Sequence, residues 1–337
     1  MNRIDTVRGE SVDGRMPVRA VKNATPTFDP RPLGIFDWAK AIRAHQWIKN
    51  LLLFVPLVAA HQLARVDLVV LLVIALFAFN LCASAAYILN DLVDVVNDRC
   101  HPRKRQRVFA SGRISKRWGV LLAALLSISS FACAAFIGSH FVAWLAIYFL
   151  ITCAYSWKLK RIVLLDCATL AALYTIRIVA GASAADIKLS FWLIIFSIFL
   201  FFSLAFLKRF TELQAQEKLG RKFAPGRDYF TSDAALIQLF GVSSGYAAVL
   251  VMALYLNSEN VIRLYQTPYL LWPDVPLTLL WVSWMWLKSH RGQMHDDPLI
   301  FALRDPISLV IGLLCMTAGV LATFVDGSVF SFLWEKV

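Results

Sequence analysis

Residues 90–98 bring three carboxylates and an amide to the end of a long apolar segment. The preceding residues, 68–89, contain no side chain that is charged at neutral pH. If this segment is a helix, four oxygen-bearing side chains fall within one arc about 100° wide: Asn90, Asp91, Asp94 and Asp98. Ligands that are all oxygen suit Mg²⁺, which usually keeps some water and also binds substrate phosphates. The spacing therefore predicts a metal and phosphate site at the mouth of a membrane helix.

Cationic side chains follow this stretch directly: Arg99, Arg103, Lys104, Arg105 and Arg107. Guanidinium groups bind phosphate oxygens through paired hydrogen bonds. A solvated membrane edge is the alternative explanation, but three acids on one arc beside five cations are costly to assemble without a ligand. We therefore favour a site that holds a metal ion and a diphosphate.

Two further polar groups lie at the ends of apolar segments. Tyr155 and Lys160 belong to a short basic connection, which topology alone would also explain. Lys208 and Arg209 end a later apolar segment, at the membrane edge.

Asp166 and Arg177 enter an apolar segment and are eleven residues apart. That spacing is about three helical turns, so both side chains lie on nearly one face of a helix. A guanidinium at this depth needs an acidic partner or a polar cavity. A structural Asp–Arg pair is the alternative, and a cavity that receives a phosphorylated substrate is the interpretation we favour.

A later segment, residues 290–298, contains two histidines and two aspartates. His290 and His295 are five residues apart and diverge by about 140° on a helix, which is poor geometry for zinc. Asp296 and Asp297 either border a substrate pocket or begin a turn before Pro298. We favour the turn.

The composition indicates what surrounds these residues. Hydrophobic residues make up 59% of the 337 and charged residues only 17%, and the mean hydropathy is +0.63. These values are typical of an all-α polytopic membrane protein. About nine transmembrane helices are expected, at roughly 48–64, 68–91, 118–138, 141–156, 162–185, 190–207, 234–256, 274–288 and 306–325.

The placement of Lys and Arg predicts the orientation of these helices. Basic residues concentrate near 92–117, 157–161, 208–232 and 288–305, which places those loops in the cytoplasm together with the N-terminus. The net charge of +12 is then explained by topology and an anionic substrate, and nucleic-acid binding is excluded. We expect a disordered cytoplasmic arm over 1–35 and a transmembrane catalytic domain over 36–337.

The motif at 90–98, NDxxDxxxD on the second of nine helices, resembles the UbiA superfamily of intramembrane prenyltransferases over about residues 36–325. Other segments are similar to its decaprenyl-phosphate phosphoribosyltransferase branch. Arg43 to Asn50, read as RAHQWIKN, looks like the RPxQWxKN opening of that branch. Further similar segments are at 101–105, 110–112, 208–209 and 295–298. The second aspartate-rich motif of ordinary prenyltransferases is not evident, because 208–229 hold mainly basic residues.

The resemblance implies a UbiA-like intramembrane bundle in the cell inner membrane, with a cytoplasmic active site. It implies Mg²⁺-dependent transfer of 5-phosphoribose from 5-phosphoribosyl 1-diphosphate to a polyprenyl, decaprenyl-like phosphate. Asp91, Asp94 and Asp98 would be catalytic and, with Asn90, would hold Mg²⁺. The substrate-binding side chains would be Lys49, Lys104, Arg105, Arg107, Tyr155, Lys160, Asp166, Arg177, Lys208 and Arg209.

Two other functions remain open. An aromatic polyprenyltransferase of the 4-hydroxybenzoate type, which uses a prenyl diphosphate, would explain the first motif equally well. A transporter is a third possibility, but transporters often place broken helices at the midplane. Here the polar residues concentrate at one membrane face.

Overall fold

The computed structural model describes residues 34–99, 104–224, 226–294 and 297–326. Over those ranges the chain forms α-helices, which we number in chain order: α1 Ile35–Ala41, α2 Val55–Ala59, α3 Val66–Arg99, α4 Lys116–Ala135, α5 Ser139–Trp157, α6 Leu165–Ala184, α7 Phe191–Lys218, α8 Ala234–Leu256, α9 Glu259–Leu264, α10 Asp274–His290, α11 Pro298–Ala302 and α12 Pro306–Phe324. A 3₁₀ segment, Ala44–Phe54, joins α1 to α2, and short 3₁₀ turns lie in later loops.

Seven helices of the described ranges are long and apolar enough to cross a membrane. They are α3 to α8 and α12. The predicted all-α, polytopic fold is confirmed, whereas the count of nine spans is not. The expected span over 48–64 is a 3₁₀ segment followed by the five-residue α2. Pro56 lies in the first turn of α2, where its missing N–H is tolerated, and it cannot continue a helix from the preceding turn. The expected span over 274–288 lies in α10, which has 17 residues.

The chain divides into two compact units. One contains the chain up to Ala44 together with 81–129, and the other contains 45–80 together with 130 onwards. The expected arm over 1–35 lies almost wholly outside the described residues.

The smaller unit has a core of its own, built from α1, the second half of α3, the loop after it and α4. Its buried apolar residues are Ala41, Ile88, Val95, Val108, Phe109, Ile114 and Ala123. The loop after α3 therefore contributes directly to the core, which fixes the backbone that carries Arg107.

The larger unit is centred on α6 and α7. Helix α6 is the most enclosed of the seven spans, with 72% of its apolar window buried. Its small residues allow close approach of the backbone beside it. A Cβ added at Gly181 would lie 2.0 Å from the carbonyl oxygen of Leu53. This approach seats the 3₁₀ segment against α6 and positions Lys49 and Asn50.

Candidate functional site

The last three turns of α3 carry two buried carboxylates. Asp91 is 5% exposed and Asp98 is 3% exposed. Arg107 Nη1 donates to both, at 3.2 Å to Asp91 Oδ1 and 2.8 Å to Asp98 Oδ2. One guanidinium nitrogen therefore joins two acids that lie on the same helix face, as the sequence predicted.

A second guanidinium approaches Asp91 from the end of α1. Arg43 donates from Nη2 to Oδ1 at 2.5 Å and from Nε to Oδ2 at 3.3 Å. Its backbone has a φ of 51°, in the left-handed region, where α1 ends. Its guanidinium also lies 5.2 Å from the centre of the Tyr87 ring. Arg43 is not among the predicted site residues, although it opens the RAHQWIKN segment, which was the available signal.

The loop that carries Arg107 is bonded to α3 and also closes a turn of its own. Arg99 Nε donates to the carbonyl oxygen of Ala110 at 3.0 Å. The Arg107 amide donates to the carbonyl oxygen of Lys104 at 2.9 Å, which closes a tight turn. Lys104 and Arg105 lie exposed on that turn. Of the three predicted cations in this loop, Arg107 binds both acids.

The donors at the end of α3 fit Mg²⁺ in chemistry. Two carboxylate oxygens already converge on a single cationic atom, and half-buried Asn90 and Asp94 add further oxygens on the same helix. Burial raises the pKa of Asp98, and the Arg107 guanidinium opposes this shift. Among the described residues, however, no three acidic, His or Cys side chains are already arranged as a metal site. Arg107 occupies the position toward which the acids point.

A second charged cluster, in the larger unit, surrounds Asp297. Its Oδ2 accepts from Lys49 Nζ at 2.7 Å and from Lys208 Nζ at 2.9 Å. Its Oδ1 accepts from the Tyr174 hydroxyl at 3.2 Å. Burial lowers the pKa of Lys49 to about 8, although Asp297 opposes this shift. Asp297 also caps α11 by accepting from the Leu299 amide, so its carboxylate both caps a helix and forms ion pairs. Asp296, the other residue of the expected turn, lies outside the described residues.

Arg177 lies beneath Tyr174 in α6 and bonds to neutral groups. It donates to Asn50 Oδ1 at 2.8 Å, to the Tyr148 hydroxyl at 2.9 Å and to the Leu173 carbonyl oxygen at 2.5 Å. Its guanidinium also lies 4.7 Å from the Tyr148 ring centre and 5.5 Å from that of Tyr174. The considered pairing with Asp166 does not occur.

Asp166 instead forms a buried network with residues of α7 and the loop after it. Arg209 Nε donates to Asp166 Oδ2 at 2.9 Å, and the Tyr229 hydroxyl donates to Oδ1 at 2.6 Å. Arg227 lies 3.2 Å from the same carboxylate, and Arg209 also pairs with Glu212. Asp166 and Arg209 are both 0% exposed. The structure therefore places these two predicted substrate ligands inside the protein, where they attach the loop to the helices.

The remaining predicted residues lie at the edge of this network. Arg227 Nη1 is 3.4 Å from both the Tyr155 hydroxyl and the Lys160 carbonyl oxygen. Both residues are half-buried. Of the expected substrate cations in the larger unit, Lys49 and Lys208 converge on the Asp297 carboxylate, and Arg177 lies against the ring of Tyr174 beside them.

Known proteins resemble this chain in sequence and in fold. The sequence model of the UbiA prenyltransferase family matches residues 51–303. Uncharacterized protein y4nM of Sinorhizobium fredii is 38% identical over 287 residues, which is 85% of this chain and 56% of that protein. This chain thus spans little more than half the length of that relative. The decaprenyl-phosphate phosphoribosyltransferase of Mycolicibacterium smegmatis is 34% identical over 215 residues, 63% of this chain and 68% of that enzyme.

A solved structure shows the same fold. A UbiA homolog from Archaeoglobus fulgidus, bound to DMAPP and Mg²⁺, has a TM-score of 0.62 and 17% identity, and covers 84% of this chain and 98% of its own. The resemblance seen in the sequence motifs is confirmed. Because the family match extends over most of the described bundle and the fold agrees with a solved homolog, the chain belongs to the UbiA prenyltransferase family.

Proposed function

We propose that this protein transfers 5-phosphoribose from 5-phosphoribosyl 1-diphosphate to a polyprenyl phosphate, at the cytoplasmic face of the cell inner membrane. The observation that supports it most is the pair of buried acids, Asp91 and Asp98, which share one guanidinium nitrogen. Such an arrangement suits a divalent cation and the diphosphate that the cation accompanies. The relatives named decaprenyl-phosphate phosphoribosyltransferase support the choice of donor and acceptor.

The aspartate end of α3 is assigned to the donor. Mg²⁺, held by Asn90, Asp91, Asp94 and Asp98, would neutralise the charge that develops on the leaving diphosphate. Arg43 and Arg107 now bind the acids, and each guanidinium has the fork geometry that matches phosphate oxygens. Both would exchange a carboxylate partner for the donor. Lys104 and Arg105, exposed beside Arg107, would bind the ribose 5-phosphate.

The acceptor needs orientation more than activation. A phosphate oxygen of the lipid attacks C1 of the ribose, and the bond from C1 to the diphosphate oxygen breaks. A phosphate monoester is anionic near neutral pH, so the protein need not supply a strong base. Correct placement of the two substrates should provide most of the rate. Lys49, Lys208, Tyr155 and Lys160 would bind phosphate oxygens, whereas Asp166, Arg177 and Arg209 would support them through their internal bonds.

The test is an assay of purified protein in lipid with radiolabelled 5-phosphoribosyl 1-diphosphate and a polyprenyl phosphate. We expect a labelled lipid whose formation requires Mg²⁺. The Asp91→Asn variant should lose about 100-fold or more in rate, since removing one preorganised electrostatic contact typically costs this much. Asp67→Asn is the matched control, because Asp67 lies on the same helix in an exposed pair with Arg65.

The competing function has its own readout in the same preparation. If no labelled lipid forms, and a prenyl diphosphate is instead joined to a 4-hydroxybenzoate-type acceptor, the phosphoribosyl assignment is wrong and the aromatic prenyltransferase is correct. Equal rates for the Asp91→Asn variant and the unmodified protein would exclude the assigned role of α3 in either reaction.

A further inference from the structure

Asp297 has more cationic partners than a helix cap requires. Two ammonium groups, from Lys49 and Lys208, donate to the same oxygen, and the Tyr174 hydroxyl donates to the other. These side chains come from the 3₁₀ segment, α6, α7 and the start of α11. Three separate elements therefore place their side-chain donors around one anionic group.

A second aspartate of the same bundle shows what capping alone looks like. Asp305 caps α12 and accepts from the Ser308 amide and hydroxyl, and also from the Trp284 indole, each at 2.9 Å. All of its hydrogen-bond donors are neutral. Capping therefore explains the bond from the Leu299 amide to Asp297, but it does not explain the two lysines.

The charges in this cluster are unequal. Lys49 and Asp297 have side chains only 7% exposed, and burying unequal charges is unfavourable. Arg177 adds a third cation, since its guanidinium lies against the ring of Tyr174 and bonds to neutral groups. Among the described residues, three cations contact the Asp297 carboxylate or the ring of Tyr174, namely Lys49, Lys208 and Arg177. A ligand with two negative charges would balance this set better than a carboxylate does.

We propose that Lys49, Lys208 and Tyr174 form a binding site for a phosphate monoester, and that the Asp297 carboxylate holds the place of that phosphate in the ligand-free protein. A phosphate monoester carries between one and two negative charges at pH 7 and offers three acceptor oxygens, one for each of these donors. The side chain of Lys208 is 38% exposed, which leaves one side of the site open. The lipid identity of the ligand rests on the proposed function, whereas the phosphate site does not.

The site can be tested by binding, without any transfer reaction. Asp297→Ser removes the charge but keeps a side-chain oxygen that can cap α11, and Asp305→Ser makes the same change at the cap of α12. The probes are farnesyl phosphate, farnesol and inorganic phosphate, titrated into the full chain in nanodiscs. The Asp297→Ser variant should bind farnesyl phosphate about tenfold more tightly than the unmodified protein, because no internal anion competes.

Three controls show whether a change in affinity comes from the charge of Asp297 and from phosphate recognition. Asp305→Ser should leave the affinity unchanged, farnesol should bind all variants equally, and Lys49→Gln should weaken farnesyl phosphate about tenfold. If Asp297→Ser binds farnesyl phosphate no more tightly than the unmodified protein, the place-holding role of Asp297 is wrong. If Lys49→Gln and Lys208→Gln both bind it normally, the phosphate site itself is wrong.

A second measurement uses the unmodified protein and therefore does not depend on whether a variant folds. Displacing Asp297 breaks its bond to the Leu299 amide, so farnesyl phosphate should speed hydrogen exchange at the start of α11, and farnesol should not. Unchanged exchange at saturating farnesyl phosphate would overturn the proposal.

Two comparisons separate the remaining assignments. Inorganic phosphate that competes as well as farnesyl phosphate would identify a soluble phosphate as the ligand, while a strong preference for farnesyl phosphate would identify the lipid; both support the phosphate site. If farnesyl phosphate binds tightly but no phosphoribosyl transfer is detected, the proposed function is wrong and the phosphate site is still supported. If transfer persists but Asp297→Ser, Lys49→Gln and Lys208→Gln all bind farnesyl phosphate as the unmodified protein does, the proposed function stands and the phosphate site is wrong.

Discussion

At the scale of single residues, Arg107 lies where the proposed site would hold Mg²⁺. It bonds to two buried acids that would otherwise repel each other. The sequence indicated that these acids share a helix face, because their spacing alone determines that. It did not indicate that Arg107 and Arg43 would neutralise them, since both come from other segments and their positions depend on the fold.

Replacing Arg107 with Ala tests whether its guanidinium occupies a metal site. The two carboxylates would lose their shared partner, which should lower the free energy of unfolding by about 2 kcal/mol. Mg²⁺ should then stabilise the variant more than it stabilises the unmodified protein, because the cation no longer competes with a guanidinium. Thermal unfolding in increasing Mg²⁺ measures both effects.

Arg65→Ala is the control for that experiment. Arg65 pairs with Asp67 on the surface, and exposed pairs contribute little. Its loss should alter neither the stability nor the response to Mg²⁺. An Arg107→Ala variant that responds to Mg²⁺ as the unmodified protein does would contradict a metal site at the end of α3.

The lowered pKa of Lys49 predicts a pH dependence. With a pKa of about 8 in the folded protein, Lys49 is charged below that pH and becomes neutral as the pH rises through it. The kcat/KM for the lipid phosphate should therefore fall above pH 8, since this parameter reports the free protein. Lys49→Arg keeps the charge and should move the decline to higher pH. A profile that stays flat to pH 10 would contradict this.

At the scale of helices and segments, periodicity along one helix predicted some neighbours correctly and others wrongly. It placed Asp91 and Asp98 on one face because that relation is internal to α3. It predicted Asp166 and Arg177 as a possible pair for the same reason. In the structure, however, Asp166 accepts from Arg209, which lies on α7. The contacts of a residue with another helix depend on how the helices pack, and the spacing of residues along one helix gives no information about that packing.

The close approach of α6 to the 3₁₀ segment provides a test at this scale. An added methyl group at Gly181 would meet the backbone of Leu53, which cannot rotate away. Gly181→Ala should therefore move the segment that carries Lys49 and Asn50, lowering the free energy of unfolding by about 1–3 kcal/mol. Binding of farnesyl phosphate should weaken with it.

Gly312→Ala is the matched control, because Gly312 lies in α12 with open space where its Cβ would be. It should unfold at nearly the same temperature as the unmodified protein and bind the lipid phosphate equally well. If Gly181→Ala behaves like Gly312→Ala in both measurements, the seating of the 3₁₀ segment does not control the position of Lys49.

At the scale of the whole molecule, composition determined the class of fold but not the number of crossings. High hydropathy indicated a helical membrane protein, and seven described helices are suitable for crossing. The two expected spans that differ are a 3₁₀ segment with a short helix and a helix of 17 residues. Average hydropathy cannot distinguish such segments from full spans. The cytoplasmic orientation stays a prediction from the distribution of Lys and Arg.

The length of α3 has a consequence for how a charged, water-soluble donor reaches its acids. Its 34 residues extend about 50 Å at 1.5 Å per residue, against about 30 Å for the hydrocarbon of a bilayer. A helix that starts at one edge of the hydrocarbon, with the usual tilt of about 20°, reaches the headgroup layer by Asp91. A diphosphate bound there keeps part of its hydration. In the proposed transfer, a polar sugar would then be joined to a lipid without losing its hydration in the hydrocarbon, and only the lipid's own phosphate would have to reach the protein at the water boundary.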